Sequence, residues 1–214
     1  MVENFIEQRC EEYMKMPNAY YLKSLPHLDF KDFFMRPVKF KDYIDLYDYG
    51  KDAEVVKYLS WDAYLTLEEA KNAITPVFLE RPQNGQPAAY ALVHKADHKM
   101  IGTCDLMHVD FAKKTAEIGF CLHKSYWNKG YMTQALDALI HVGFCYFNFK
   151  TIFIRHLKDN IASKRVIEKN NFTFLEESYD EQYKAILLSY RLDQDTFFKT
   201  HPKKKDGCHG KNRL

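Results

Sequence analysis

The stretch from Ala116 to Phe147 constrains the fold of this chain more than any other. It opens with an apolar run, Ala116-Glu-Ile-Gly-Phe-Cys-Leu-His123, short enough to be a strand. A polar turn centred on Asn128-Lys129-Gly130 follows and leads straight into residues of helical periodicity. Met132, Ala135, Leu136, Leu139, Gly143 and Phe147 recur at i, i+3, i+4 and i+7 spacing, and Ile140 and Phe144 widen the stripe. Gln134, Asp137, His141 and Asn148 fall on the other side, so one helix face is expected on a sheet and the other in water. A strand, a tight turn and a helix N-terminus in succession make an anion site. Backbone N–H groups without intrahelical partners point outward there, and the helix dipole favours negative charge. The turn is therefore expected to hold the pyrophosphate of a nucleotide-like cofactor.

The segments around it can be read by the same rules. Residues 1 to about 28 are mixed and suit a short helix or an arm lying on the domain. Phe30 to Val38 reads as a first strand, Lys41 to Tyr49 and Asp52 to Leu59 as two short helices. Thr66-Leu-Glu-Glu69 has the form of a capping box, which starts a helix running to about Leu79. After the turn cluster Arg81 to Pro87, the stretches Ala88 to His94, Met100 to Val109 and Thr115 to Leu122 form an expected antiparallel meander, with Gly102 marking a bend or bulge. Thr151-Ile-Phe-Ile154 is the next strand. It is reached through the central helix and is therefore expected parallel to the strand before that helix. A second helix spans Asn160 to Asn170, capped by Asn160 or Asp159 and stopped at Asn171, and Phe172 to Leu175 with Tyr183 to Leu192 closes the order as a hairpin. The chain is thus divided into an extension at 1–28, one α/β domain at 29–194 and a polar tail at 195–214.

Composition excludes more than it assigns. The 31 basic and 29 acidic residues give a net charge of +2, which argues against a direct nucleic-acid binder. The five cysteines are odd in number and show no CxxC spacing, and His201, Cys208 and His209 lack a metal-ligand pattern. Reduced thiols, no metal and a cytoplasmic location are expected, and no stretch has the length of apolar residues that a membrane span needs.

The order of elements and two motifs resemble the GNAT superfamily of acetyl-CoA-dependent N-acetyltransferases, over roughly Phe34 to Leu192. Tyr126-Trp-Asn-Lys-Gly-Tyr-Met-Thr-Gln-Ala-Leu136 is similar to the superfamily's pyrophosphate loop, Gln/Arg-x-x-Gly-x-Gly/Ala. Asn160-Ile-Ala-Ser163 with Glu168-Lys-Asn-Asn-Phe172 is similar to its Asn-x-x-Ser…Glu-Lys-x-Gly-Phe signature, and with Ile118-Gly-Phe120 it resembles the RimJ/RimL branch, which acetylates N-terminal α-amines of ribosomal proteins. Three positions depart from the pattern: Trp127 for Gln/Arg, Met132 for Gly/Ala and Asn171 for Gly. None removes a backbone N–H, and Met132 must point away from the phosphates.

The resemblance implies a GNAT fold, a mixed and mostly antiparallel sheet flanked by helices, with strands splayed at the cofactor. It implies acetyl-CoA as co-substrate, held at Asn128, Lys129, Gly130, Tyr131, Met132 and Thr133 for the pyrophosphate, and at Cys121, Leu122, His123, Asn160 and Ser163 for the pantetheine. Glu117 stands where many members carry a base glutamate; the other reading is a strand-face glutamate paired with Lys113 or Lys114. Val166 and Ile167 fill the region where many relatives have an acidic tyrosine. Ser163 is the remaining hydroxyl, either the proton donor to the leaving thiolate or a first-turn residue that fixes the loop. Glu176, Glu177, Asp180 and Glu181 form an acidic patch that would draw a cationic amine if it faces the acceptor groove.

The expected activity is transfer of acetyl from acetyl-CoA to a primary amine by direct attack in a ternary complex, the leading acceptor being a protein N-terminus. A small-molecule N-acetyltransferase and a CoA-binding regulatory module without turnover are the alternatives. The expected assembly is a monomer or homodimer.

Overall fold

The computed structural model describes residues 18–201. Its strands are β1 (Leu28–Asp29), β2 (Phe33–Pro37), β3 (Tyr90–His94), β4 (Lys99–Asp110), β5 (Thr115–Leu122), β6 (Thr151–Leu157), β7 (Thr173–Asp180) and β8 (Ala185–Asp193). They form one sheet in the order β1-β2-β3-β4-β5-β6-β8-β7. All neighbours are antiparallel except β5 and β6, as the helical connection between them predicts. The helices are α1 (Asn18–Lys23), α2 (Tyr43–Gly50), α3 (Ala53–Val56), α4 (Leu67–Ile74), α5 (Tyr131–His141), α6 (Ile161–Lys169) and α7 (Gln194–Thr200).

The parallel pair is short. Register runs from Thr115↔Thr151 to Ile118↔Ile154 and stops there. Gly119 to Leu122 continue to pair with β4, while Arg155 to Leu157 pair with β8. The two strands therefore part after Ile118, and the edges that face each other across the gap carry backbone groups with no ladder partner.

Two apolar clusters cover the sheet. Met132, Ala135, Leu136 and Leu139 of α5 pack with Ala116 and Ile118 of β5 and with Ile152 and Ile154 of β6. Leu46 and Tyr49 of α2 and Ala70 and Ile74 of α4 pack with Ala91, Val93 and Met100. The Thr66 hydroxyl accepts from Glu69 N–H at 3.3 Å, but the Glu69 carboxylate accepts from Leu65 N–H at 2.8 Å, so the expected capping box closes one residue early. Beside Gly102 the β3–β4 register slips between Leu92 and Val93, which makes Ile101 the extra residue of a bulge.

Two expectations change. The water-facing side of the central helix is narrower than expected: Gln134 is exposed and Asp137 half-exposed, but His141 is 4% exposed. The cause is α7, which occupies residues expected to belong to a polar tail. Its Phe197 and Phe198 are buried against Phe144, and Gln194 Nε2 donates to the Phe144 carbonyl at 3.0 Å. Residues 202–214 of that tail lie outside the described residues. At the other end, α1 is a short helix lying on the domain, with Tyr21 stacked on Tyr146 at 4.7 Å between ring centroids. Residues 1–17 of the extension lie outside the described residues. Cys104 and Cys121 are free thiols.

Candidate active site

A cleft of about 550 Å³ opens where β5 and β6 part. Phe120, Cys121 and Leu122 line it from β5, Trp127 to Thr133 (all but Lys129) from the turn and the start of α5, and Asn160 and Ser163 from the start of α6. Sequence elements forty residues apart thus converge on one cavity, as the paired motifs suggest.

The turn is built to present N–H groups. Asn128 has φ +60° and Gly130 φ +77°, both left-handed, and Gly130 is the N-cap of α5. The first helical bond is Gln134 N–H to the Gly130 carbonyl at 3.2 Å, so the N–H groups of Tyr131, Met132 and Thr133 have no intrahelical acceptor. Among the described residues, no turn or loop bond begins at the N–H of Asn128, Lys129 or Gly130 either. A Cβ on Gly130 would meet nothing closer than 4.0 Å, so the space beside the turn is open. Met132 is 4% exposed and packs in the core while also bordering the cleft. These features fit a pyrophosphate, which needs convergent donors and no side chain in the way.

The turn is also braced. Tyr126 donates to Asp97, and His94 Nδ1 lies 2.7 Å from the same Asp97 carboxylate. Burial, then the bond to Asp97, hold the Tyr126 phenol well above its ordinary value. Lys129 places its ammonium 5.0 Å from the centre of the Tyr126 ring rather than in the cleft. Asn170 Nδ2 donates to the Val166 carbonyl at 2.9 Å and the Thr133 carbonyl at 3.4 Å, tying α6 to the start of α5. Asn171 follows with φ +59°, the left-handed stop that its side chain permits.

Not every expected residue joins the cleft. His123 lies outside it. Its N–H donates to the Ile101 carbonyl at 2.7 Å, its Nδ1 accepts from Ser125 N–H at 3.1 Å, and its Nε2 lies 3.6 Å from Asp48. The Asn160 Oδ1 is engaged as the cap of α6, accepting from Ser163 N–H at 3.1 Å. The Cys121 thiol is pushed up to about 12 by burial, so it is a neutral thiol in the cleft wall.

Glu117 lies in a second cavity of about 290 Å³, which it shares with His108, Arg155, Glu176, Ser178 and Ser189. Its partners are neither Lys113 nor Lys114. Arg155 donates from Nε and Nη2 to its two oxygens, each at 2.8 Å, and His108 Nδ1 lies at 3.1 Å. The bond to Glu117 raises the Arg155 guanidinium further above its ordinary value. Of the acidic patch, only Glu176 faces this cavity. Glu177 pairs with Lys158 at 3.1 Å, and Asp180 accepts from Gln182 and Tyr183 N–H within its own turn.

Sequence reasoning missed Arg155 and His108, which only the strand pairing brings to Glu117. It also missed Arg165 and Lys169, which line the first cleft from α6. Their i, i+4 spacing on one helix face was a usable signal for an anion-facing pair. Among the described residues, no group of His, Cys, Asp and Glu is arranged to hold a metal ion, and no helix is long and apolar enough to cross a membrane.

Residues 32–173 match the family described as acetyltransferase (GNAT) domain. An uncharacterized N-acetyltransferase of Bacillus subtilis, YnaD, is 29% identical over 171 residues, covering 75% of this chain and 96% of that protein. The ribosomal-protein-serine acetyltransferase of Escherichia coli is 28% identical over 132 residues, covering 58% of this chain and 73% of that protein. Among solved structures, RimL, a ribosomal L7/L12 α-N-protein acetyltransferase in complex with coenzyme A, superposes with a TM-score of 0.68 at 22% identity, covering 78% of this chain and 97% of that one.

Proposed function

The chain belongs to the GNAT acetyltransferase family, and on that premise we propose that it acetylates a protein N-terminal α-amine by direct attack within a ternary complex. It is an acetyl-CoA-dependent N-acetyltransferase of the RimJ/RimL-like branch. One observation carries the finer reading. The parted strands β5 and β6 leave unpaired backbone edges between an anion-binding turn and a second, polar cavity, so donor and acceptor can approach one gap from two sides.

In this reading the N–H groups from Asn128 to Thr133 take the pyrophosphate, with Arg165 and Lys169 adding charge nearby. The exposed edges beside Phe120, Cys121 and Leu122 and beside Asn160 hold the pantetheine arm in register. Acetyl-CoA supplies an activated acyl group, so no covalent nucleophile of the protein is needed. Ser163, in the cleft wall with its hydroxyl clear of the Asn160 cap, is the donor to the leaving thiolate.

A peptide acceptor is favoured by the surroundings of the second cavity. It is bordered by β7, the last strand of the sheet, whose residues before Asp180 are all exposed. An open strand edge beside the reaction gap suits an extended chain end better than a small enclosed amine. Release of free CoA thiol, measured across peptides with free N-termini and small primary amines, tests this. Turnover with peptides supports it, and turnover confined to small amines replaces it with the small-molecule reading.

A further inference from the structure

Three side chains from three adjacent strands meet at the last rungs before β5 and β6 part. Arg155 of β6 grips both oxygens of Glu117 of β5, and His108 of β4 reaches the same carboxylate. His108 is delivered by a bulge. The β4–β5 register slips between Met107↔Glu117 and Asp110↔Thr115, and His108 sits in that slip with φ +47°. Bulges re-aim side chains, and this one aims an imidazole at a carboxylate on the neighbouring strand.

The pairing fixes which nitrogen carries the proton. An ionised carboxylate only accepts hydrogen bonds, so the nitrogen facing Glu117, Nδ1, is the protonated one in neutral His108. Nε2 then holds the free lone pair, and among the described residues no second hydrogen bond engages the ring. The Glu117 side chain is 16% exposed while that of His108 is 68% exposed, so the carboxylate lies behind the ring and the ring meets solvent and acceptor. For Glu117 to take a proton itself, it would have to leave two charge-assisted bonds to a guanidinium.

We infer that His108, rather than Glu117, takes the proton from the acceptor amine, and that Glu117 and Arg155 are positioning residues that set its tautomer. The inference rests on the acetyl-transfer reading above. As the amine nitrogen bonds to the acetyl carbon and the carbon–sulfur bond breaks, the nitrogen's proton passes to His108 Nε2. The thiolate is protonated from Ser163 or solvent. The imidazolium that forms is held by the Glu117 carboxylate, and Arg155 keeps that carboxylate in place. Other charged groups around the array are Glu176 in the same cavity, Asp105 on β4 with its partner Arg81, and Asp180 and Tyr183 beside Arg155.

The test uses acetyl-CoA and a short peptide with a free N-terminal serine as the acceptor probe. His108→Asn keeps a donor for Glu117 but removes the base. It should lower kcat/KM about 100-fold and erase the acidic limb of the pH–rate profile, while leaving acetyl-CoA affinity unchanged. Glu117→Gln should keep that limb but move it to lower pH, because the imidazolium loses its counter-charge. A His108→Asn enzyme with the wild-type rate and limb overturns the inference, as does a Glu117→Gln enzyme in which the limb is gone. Absence of wild-type turnover with the peptide and with small amines would count against the acceptor reading instead. The His108 assignment is then read from nitrogen NMR of the resting protein. An Nδ1-protonated ring that loses its preference in Glu117→Gln supports it, and an Nε2-protonated ring refutes it.

Discussion

The indole Nε1 of Trp127 donates to the Leu122 carbonyl at 2.7 Å. This bond joins the end of β5 to the turn before α5, and it gives Trp127 a donor role where the family pattern has Gln or Arg. Each supplies an N–H, and here that donor is spent on shaping the turn. Trp127→Phe keeps the aromatic packing and deletes the donor. It should weaken CoA binding roughly fivefold, as expected for about 1 kcal/mol of lost hydrogen bonding. Calorimetric titration of CoA into both proteins measures this directly.

Gly130 distinguishes space from charge. The open volume beside it admits a methyl group, but a left-handed Cβ costs about 1–2 kcal/mol of stability. Gly130→Ala should therefore shift the urea midpoint and leave most CoA affinity intact. Gly130→Asp sets a carboxylate beside the phosphates and should cost at least about 100-fold in affinity. Equal affinity in the Asp variant would remove the pyrophosphate from this turn.

Met132 should behave as a core residue although it sits in the turn motif. Met132→Ala is expected to lose about 3 kcal/mol of stability from the cavity it leaves, with CoA affinity nearly unchanged. Urea denaturation and calorimetry together separate the two effects. A large loss of affinity at unchanged stability would show that the side chain, and not only its N–H, faces the cofactor.

Burial holds His156 below its ordinary value; its Nδ1 lies 2.8 Å from the Leu157 carbonyl and its ring stacks on Tyr190. On acidification the unfolded chain binds the proton first. The contribution to stability is complete above the unfolded value of about 6.5 and is lost as pH falls through it toward the lower folded value. Melting temperature measured against pH should therefore drop below about pH 6.5, and His156→Gln should flatten that decline.

Arg81 and Asp105 form a buried ion pair at 2.8 Å, with side-chain exposures of 12% and 7%. Burial pushes the Asp105 carboxyl up, and Arg81 opposes the shift. Arg81→Met strands that carboxylate and should cost about 3–5 kcal/mol. Adding Asp105→Asn should recover part of the loss. Chemical denaturation of the single and double variants checks both outcomes.

What was legible in the chain was what local rules control. The helical period after Gly130, the cap at Asn160 and the left-handed stop at Asn171 each follow from neighbouring residues, and each stands where it was read. Which strands pair was partly legible, but the residue register across the sheet was not. Arg155 meets Glu117 because β5 and β6 share a register, and His108 meets it because β4 carries a bulge, and neither fact has a marker in the local sequence. His141 read as a surface residue because its cover, Phe197 and Phe198, sits in a segment whose average polarity hid two core side chains. The site was thus readable where a backbone turn makes it and hidden where long-range pairing makes it.

The insertion of β8 between β6 and β7 has a consequence for the chain while it is being made. β6 flanks the gap, yet its full-length neighbour is residues 185–193, synthesised after everything else that surrounds the gap. The turn at Asn128–Gly130 and strands β1 to β5 emerge from the ribosome before the far side of the gap has its β8 neighbour. Until β8 pairs with β6, the far side of the gap lacks its antiparallel partner.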